Sequence, residues 1–381
     1  MKIHVLFFVV FIFNPTFRPF AHCILHCKLT VWKLVRDKCL NKRTTIKVSS
    51  VKVLVTGGTG FIGRRLIEKL TEEEHKVHAF VRSTSNRSGL PETVIFKEGD
   101  LLNFESLENA IEGMDAVIHL AAYFDFYPKN VDLLYKVNVE GTKNLMNACI
   151  GSSVERFVYC STTETIGPVR YPPANEDTEL RPQFDYGESK VLAEKVVREI
   201  SSDTGLNHVI LRPTGVMGEG DLYTAYELIK ALNDGEIPVL PGDGKKHIMY
   251  SYVDDIVRGF TAALSSQSAL NSTIILCPDE PMTYNELIEF LTNYLNVEPP
   301  KRRIPTSLAK IGIGLLSPIK NRGRNTFLWH TKTIQSMDED RWYENNRAKR
   351  LLGWTPKFSM QDGLKRAIDW YYEHDYLERR N

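Results

Sequence analysis

A glycine-rich loop, TGGTGFIG at residues 56–63, lies between a predicted buried strand and a predicted amphipathic helix. The strand is the apolar run 51–56, and the helix follows from apolar residues at helical spacing over 61–70. Glycines here allow a tight turn and a close approach of backbone to a pyrophosphate, and the helix N-terminus offers free N–H groups to its oxygens. This context favours a dinucleotide-binding loop over a purely structural turn. The residues expected to contact the cofactor are Gly57, Gly60, Phe61, Ile62 and Gly63.

Strands and helices alternate over the residues that follow. Further strands are predicted at 77–81, 94–96, 116–120, 156–160 and 208–211, and further helices at 104–112, 131–150 and 186–204. Strict alternation predicts an α/β fold, a doubly wound parallel sheet of the Rossmann type with helices on both faces.

The strict alternation of strands and helices ends after Pro213, where loops become richer in glycine and proline. We expect a dinucleotide-binding Rossmann domain at 51–212. A smaller subdomain at 213–381 would mainly bind substrate, with some segments returning to the sheet. The apolar stretch 308–316 is interpreted as a short packed helix, with a membrane-touching helix as the alternative.

The first 50 residues differ from the rest. The apolar run 3–13 is too short to span a bilayer but fits a signal peptide or a short anchor. Four residues of the types that bind metal ions lie close together in this segment. No second pair of such residues follows at a matching distance, so no metal site is expected. The four residues are His22, Cys23, His26 and Cys27. Residues 1–50 are interpreted as a leader or signal-like extension.

The charge balance gives no reason to expect a nucleic-acid partner, because 48 Lys and Arg residues oppose 47 Asp and Glu residues. The six cysteines are scattered and do not resemble a disulfide framework. The catalytic part is therefore expected in the reducing cytoplasm. A secretory leader at 1–21 or association with the endoplasmic reticulum remains the alternative.

The end of the second strand should meet the adenosine ribose. An acidic residue there would favour NAD, but this chain has Arg82 followed by three hydroxyl residues. A cation with hydroxyls suits a 2′-phosphate, so NADP is favoured, and NAD stays open because Arg can also stack on adenine. Asp100 and Leu101, after the third strand, are candidates for the adenine side, with a simple turn as the alternative for Asp100. Small residues after the fourth strand, Ala121 and Ala122, would allow a close approach of the cofactor.

The segment YGESK places Tyr186 and Lys190 four residues apart, on one face of a predicted helix. A nearby ammonium and the positive nicotinamide of the cofactor favour the phenolate and would lower the pKa of the tyrosine, which makes Tyr186 a candidate general acid or base. Lys190 would also hold the nicotinamide ribose. At the end of the fifth strand, Thr162 is the first candidate for a hydroxyl that orients the reacting oxygen, and Ser161 is the second.

With these residues assembled, the chain resembles the extended short-chain dehydrogenase family, also called the NAD-dependent epimerase/dehydratase family, over about residues 51–376. The stretches that carry the resemblance include TGGTGFIG, HLAA at 119–122, YGESK, LRPTGVMGEG at 211–220 and YVDDI at 252–256. The segments FVRSTSN and NVEGTKNL are most similar to its dihydroflavonol-reductase-like branch, which includes farnesol dehydrogenase.

The resemblance implies roles for several further residues. Pro213 and Val216 would lie near the nicotinamide, Asn138 would brace the active-site backbone, and Asp254 would sit in a structural or substrate-side turn. A homodimer is usual for the family. Sugar dehydratases carry an Asp-Glu pair after the strand-end threonine, and here the pair is Thr163-Glu164, which counts against dehydration.

We therefore expect an NAD(P)-dependent oxidoreductase that moves a hydride to or from a hydroxyl or carbonyl carbon of an apolar or sugar-like small molecule. The alternative is a nucleotide-sugar epimerase with tightly held NAD, for which Lys245, Lys246 and Arg258 could bind a diphosphate. A catalytically inactive dinucleotide-binding sensor is a third hypothesis, disfavoured by the presence of both Tyr186 and Lys190.

Overall fold

The computed structural model describes residues 50–320 and 327–379, so the predictions for the leader lie outside the described residues. The strands of the first half are β1 (Lys52–Thr56), β2 (Lys76–Val81), β3 (Ile95–Glu98), β4 (Ala116–His119), β5 (Arg156–Cys160) and β6 (Asn207–Pro213). The helices between them are α1 (Phe61–Glu72), α2 (Phe104–Ile111), α3 (Val131–Tyr135), α4 (Gly141–Cys149) and α5 (Asp185–Thr204).

The second half continues with shorter elements. Its strands are β7 (Gly215–Met217), β8 (Val239–Pro241), β9 (His247–Ile248), β10 (Tyr250–Tyr252), β11 (Ser272–Leu276), β12 (Met282–Thr283) and β13 (Arg302–Ile304). Its helices are α6 (Thr224–Asn233), α7 (Val253–Ser265), α8 (Tyr284–Leu295), α9 (Thr306–Lys320), α10 (Thr331–Ser336), α11 (Asn346–Leu352) and α12 (Met360–Glu373).

Seven strands form one sheet in the order β11-β6-β5-β4-β1-β2-β3, and every pairing is parallel. The order reverses direction between β1 and β4, which creates a crevice at the carboxyl ends of these strands. The predicted doubly wound α/β fold is confirmed. The seventh strand, β11, pairs with β6; the sequence predicted that some segments of the second half return to the sheet, but not which ones.

Helices cover both faces of this sheet. On one face α1 and α7 bury residues such as Leu66 and Phe260. On the other face α2, α4 and α5 bury Leu107, Leu145 and Val197 against it. The apolar spacing that predicted amphipathic helices therefore corresponds to their sheet-facing sides. Gly205 ends α5 in the left-handed conformation, with φ of 78°, as predicted for a C-cap.

A third apolar cluster belongs to the second half. It joins α6, α8 and α12 through buried residues that include Ile229, Leu291 and Ile368. Three two-stranded sheets lie in the same part of the chain, and β7 and β10 form one of them. The division at residue 213 stays a prediction, since β11 and α7 of the second half pack into the main sheet.

Two predicted helices differ in the structure. The helix predicted at 131–150 is interrupted by a π-helical turn, Lys136–Glu140, between α3 and α4. The stretch 308–316 is helical, but Leu308, Ile311 and Leu315 are exposed rather than packed. Periodicity shows that a helix has an apolar side, but it does not show what covers that side.

Candidate active site

The glycine loop follows β1 and begins α1. Gly57 has a φ of +72°, and a Cβ there would lie 2.6 Å from the backbone nitrogen of Ala121. A Cβ at Gly63 would lie 2.1 Å from the carbonyl oxygen of Gly57. Side chains are therefore excluded, which leaves backbone N–H groups at the helix N-terminus exposed to a phosphate group. The loop fits a dinucleotide pyrophosphate.

A cavity of about 890 Å³ runs from the glycine loop to the second half of the chain. The predicted site residues that line it are Gly57, Gly60, Phe61, Ile62, Gly63, Arg82, Asp100, Leu101, Ala121, Ala122, Ser161, Thr162, Tyr186, Pro213 and Val216. The structure thus brings together all of the predicted site residues except Lys190. Their individual roles stay predictions.

The adenosine end of the cavity contains Arg82 at the end of β2. The Arg82 N–H donates to the Ser85 hydroxyl at 3.1 Å, which closes a turn and leaves the exposed guanidinium at the cavity rim. Asp100 accepts from the Leu102 N–H through Oδ1 at 2.8 Å, so this carboxylate stabilises its own turn. This hydrogen bond favours the interpretation of Asp100 as a turn residue.

Tyr186 lies in the first turn of α5 and is buried. Burial raises the pKa of Tyr186, and Cys160 and Glu164 raise it further. Burial is the largest cause of this shift. The lower pKa expected beside Lys190 and a positively charged nicotinamide stays a prediction, and the protonated phenol can donate a proton to a ligand.

Thr162 ends the extended segment after β5, and its hydroxyl oxygen accepts from the Glu164 N–H at 3.2 Å. Because the oxygen is accepting, its proton can be donated to a ligand in the cavity. The Ser161 hydroxyl instead donates to the Glu194 carboxylate at 2.5 Å. Of the two candidates, Thr162 is therefore better placed to orient a reacting oxygen.

Glu194 is the centre of a buried ionic network. Its carboxylate accepts from Nε and Nη2 of Arg212, at 2.8 and 2.7 Å, and from Arg198 at 2.6 Å. Burial alone would raise the pKa of Glu194, but Arg212 and Arg198 hold it below its usual value. This network links α5 to β6 and stabilises the helix that carries Tyr186.

Lys190 does not line the cavity. It is buried, and its Nζ lies 4.3 Å from the centre of the Tyr159 ring, in a cation–π contact. Burial lowers the pKa of Lys190 to about 8, so the ammonium form predominates at neutral pH. Contact of Lys190 with a nicotinamide ribose stays a prediction.

A buried network behind the cavity was not identified from the sequence. His119 joins Thr56 at 2.6 Å and Thr142 at 3.0 Å, and the Thr56 hydroxyl accepts from the Ala121 N–H at 3.2 Å. Burial, assisted by Lys190, lowers the pKa of His119 to about 3, so this ring is neutral. The network positions the end of β4 against the glycine loop.

Asn138 lies in the π-helical turn. Its Oδ1 accepts from the Tyr123 N–H at 2.7 Å, and its Nδ2 donates to the Tyr123 carbonyl and the Ser189 hydroxyl. These bonds fit the expected bracing of active-site backbone. Asp254 instead pairs with Arg65 at 3.1 Å and does not line the cavity, which favours the structural interpretation of that residue.

The substrate half of the cavity is mainly aromatic, which sequence analysis did not foresee. Phe124 packs edge-on against Tyr186 with ring centres 5.0 Å apart. We call this surface the aromatic wall, formed by Phe124, Phe126, Phe184, Tyr223 and Phe327. The aromatic run YFDFY at 123–127 was the available signal, but Phe327 lies some 200 positions away in the sequence.

One ion pair interrupts the apolar lining. Arg341 donates to Glu164 at 2.8 Å and to the Gln183 side chain at 2.7 Å. Both members of the pair line the cavity, and Oε2 of Glu164 is buried with no hydrogen-bond partner among the described residues. The carboxylate that a dehydratase would use is therefore held by a cation here.

Comparison with known proteins finds relatives among dehydrogenases and among solved structures. A 3-beta-hydroxysteroid dehydrogenase of Mycolicibacterium neoaurum is 27% identical, with 86% of this chain and 93% of that protein covered. The crystal structure of gox2253 has 27% identity and a TM-score of 0.74 over 86% of this chain and 100% of the other. MoeE5, solved with UDP-glucuronic acid and NAD, has 25% identity and a TM-score of 0.67 over 85% of this chain and 99% of the other.

Residues 53–277 match the NAD dependent epimerase/dehydratase family, whose resemblance was noted from the motifs. This match includes the glycine loop, Thr162 and the Tyr186–Lys190 pair. It supports NAD(P) binding and an oxidoreductase or epimerase activity. The chain therefore belongs to the NAD dependent epimerase/dehydratase family, as an NAD(P)-dependent oxidoreductase.

Proposed function

We propose that this protein is a dehydrogenase or reductase that acts on a ring-bearing, largely apolar alcohol or ketone of steroid-like size. The aromatic wall beside Tyr186 carries this proposal, because flat apolar rings pack well against phenyl faces and edges. The similarity to a 3-beta-hydroxysteroid dehydrogenase supports the same substrate class. Membership of the dihydroflavonol-reductase-like branch stays a prediction.

The residues suggest how protons move in this reaction. The Thr162 hydroxyl donates to the substrate oxygen and orients it. During reduction the neutral phenol of Tyr186 gives its proton to that oxygen and becomes the phenolate, and during oxidation the phenolate takes the proton from the substrate hydroxyl. The nicotinamide, when bound, supplies or accepts the hydride. Lys190 keeps positive charge close to the tyrosine, which stabilises the phenolate that forms when the proton leaves. The aromatic wall excludes water from the reacting carbon.

We favour NADP as the cofactor. At the end of β2 no acidic side chain competes for the ribose, and the guanidinium of Arg82 lies at the cavity rim. A 2′-phosphate is well matched to that guanidinium. Arg82 is assigned to the ribose end because it directly follows β2, where the adenosine ribose of a dinucleotide binds in this fold.

The epimerase hypothesis has less support from the cavity. A nucleotide-sugar diphosphate needs cations, and the described residues that line the cavity include only Arg82 and the paired Arg341. The three residues suggested as diphosphate ligands, Lys245, Lys246 and Arg258, do not line this cavity. Lys246 pairs with Asp340 at 2.9 Å, Arg258 pairs with Asp255, and Lys245 is exposed. The nucleotide sugar bound to MoeE5 keeps the hypothesis open.

Three further assignments remain proposals. The protein would act as a homodimer, in the cytoplasm or on a cytoplasmic membrane surface, with residues 213–381 serving mainly to bind substrate together with Phe124, Phe126 and Phe184 of the first half. No helix of the described ranges is long and apolar enough to cross a membrane.

Substrate classes can be separated by one assay. The full chain would be incubated with NADP⁺ or NAD⁺ and a planar 3β-hydroxysteroid, and reduced cofactor measured by absorbance, with Tyr186→Phe as the control. Turnover by the wild type alone supports the proposal. Conversion of UDP-glucose to its 4-epimer, with no turnover of the steroid, would replace it by the epimerase hypothesis.

A further inference from the structure

An apolar helix face lies uncovered on the second half of the molecule. Along α9, Leu308, Ile311, Leu315 and Leu316 are 56, 63, 74 and 47% exposed. The first three follow the i, i+3, i+7 spacing of one helix face. The opposite side of α9 carries the buried Ala309 and packs on α10 and β8. A folded surface that exposes several large apolar residues together indicates a partner.

The segment that carries this helix is basic in sequence, although Lys301 pairs with Glu298 at 2.8 Å, and Asp243 and Asp338 line a surface pocket with Arg303 and Thr306. Every acidic or basic residue between Glu298 and Asp338 is basic, in a chain whose net charge is only +1. Among the described side chains, Lys301, Arg302 and Arg303 are exposed immediately before α9, and Lys310 lies on the helix itself. Exposed apolar residues flanked by cations are the pattern of helices that lie in the interface of an anionic bilayer.

We propose that α9, with the basic residues just before it, binds the surface of an anionic lipid bilayer without crossing it. The leucine and isoleucine side chains would enter the boundary between headgroups and acyl chains, and the cations would contact the phosphates. The helix has 15 residues, about 22 Å at 1.5 Å per residue, which suits lying in the interface and is short of a span.

The position of this surface relative to the cavity is consistent with an apolar substrate. Helix α10, on which α9 packs, contributes Thr333 and Ser336 to the cavity lining. The bilayer would therefore lie beside a wall of the substrate cavity. Membrane binding itself does not depend on the proposed substrate and is measured without it.

The test is co-sedimentation of the full chain with vesicles of phosphatidylcholine alone or with phosphatidylserine added. The variant pair is Ile311→Ser with Leu315→Ser. The matched control is Ile95→Ser with Ile150→Ser, which removes two isoleucines of 51 and 47% exposure elsewhere. The apolar run 3–13 is present in every protein compared, so it cannot produce a difference between them.

We expect the wild type and the control to bind phosphatidylserine vesicles, and the α9 variant to have a partition coefficient at least tenfold lower. Added salt should weaken wild-type binding, because the cations contribute. Equal binding by the α9 variant, or no binding by the wild type, would overturn the proposal. Loss of a dimer in the α9 variant, without vesicle binding by the wild type, would assign the surface to a second copy of the chain instead.

Discussion

Arg341 donates a 2.8 Å hydrogen bond to Glu164 inside a cavity whose other walls are mostly apolar. The two residues are 177 positions apart in the chain, so the pair joins the end of β5 to the segment before α11. A charge left alone in such a place is costly, because little water can solvate it.

Removing one member of this pair should therefore destabilise the protein more than removing both. We expect Arg341→Met to lower the free energy of unfolding by about 3 kcal/mol. The double variant Arg341→Met with Glu164→Gln should lose clearly less. Denaturant unfolding of the four proteins in the cycle measures the coupling. Additive losses would show that the ion pair contributes little.

Tyr186→Phe should reduce kcat by about two to four orders of magnitude, because the proton donor is lost. Binding of NADPH, followed by fluorescence titration, should be unchanged. Retained turnover in the variant would remove Tyr186 from the mechanism. NADPH binding without any turnover by the wild type would instead support the dinucleotide-binding sensor.

The two hydroxyls after β5 should differ in what they control. Thr162→Val should lower kcat strongly while costing only about 1 kcal/mol of stability, because its hydroxyl proton is available to the substrate and its oxygen caps the Glu164 N–H. Ser161→Ala should mainly lower stability, by about 1 to 3 kcal/mol, because the buried Glu194 loses a hydrogen bond. Kinetics and thermal melts on both variants check this, and the reverse pattern would exchange the two roles.

Arg82→Glu tests the cofactor assignment. If Arg82 binds a 2′-phosphate, the wild type should bind NADPH at least tenfold more tightly than NADH, about 1.4 kcal/mol. The variant should lose or invert that preference. Arg87→Glu is a control, since Arg87 lies on the same loop and pairs with Glu98 away from the cavity lining. A wild-type preference for NADH would contradict the assignment.

A buried carboxyl in the cavity should make stability depend on pH. Burial raises the pKa of Asp221 to about 7, and its Oδ2 has no partner among the described residues. The folded state thus binds the proton more tightly than the unfolded state, so stability falls as the pH rises from about 4 to 7.

The Asp221→Asn variant should lack this dependence. Between pH 5 and 7.5 the wild type should lose roughly 2 kcal/mol relative to the variant. Urea unfolding at both pH values measures the difference. Parallel behaviour of the two proteins would mean that Asp221 titrates normally.

Local patterns were sufficient to predict the cofactor side of the site. The glycine loop and the Tyr186–Lys190 pair each lie within a few residues, and alternation of strands with helices orders them along one sheet edge. The substrate side was not predictable in this way. Phe124 and Phe327 form one wall only because the second half folds over the sheet edge.

Burial was the other quantity that the sequence did not reveal. Burial raises the pKa of Tyr186, and the spacing to Lys190 could not show this loss of solvent around the phenol. The lowered pKa expected with a positively charged nicotinamide beside the phenol stays a prediction. The apolar stretch 308–316 was likewise interpreted as packed because the sequence did not show its exposure. In both cases the sequence showed the type of each residue but not how much solvent surrounds it.

The π-helical turn at Lys136–Glu140 constrains how this chain can change in length. Such a turn contains one residue more than an α-helical path would use. Deleting one residue there would leave α3 and α4 in phase, but it would remove the widened turn that holds Asn138 against its partners. Asn138 would then lose Tyr123 and Ser189 together. Single-residue deletions should therefore be tolerated in the exposed turn at 86–90 and be absent among functional variants of this helix.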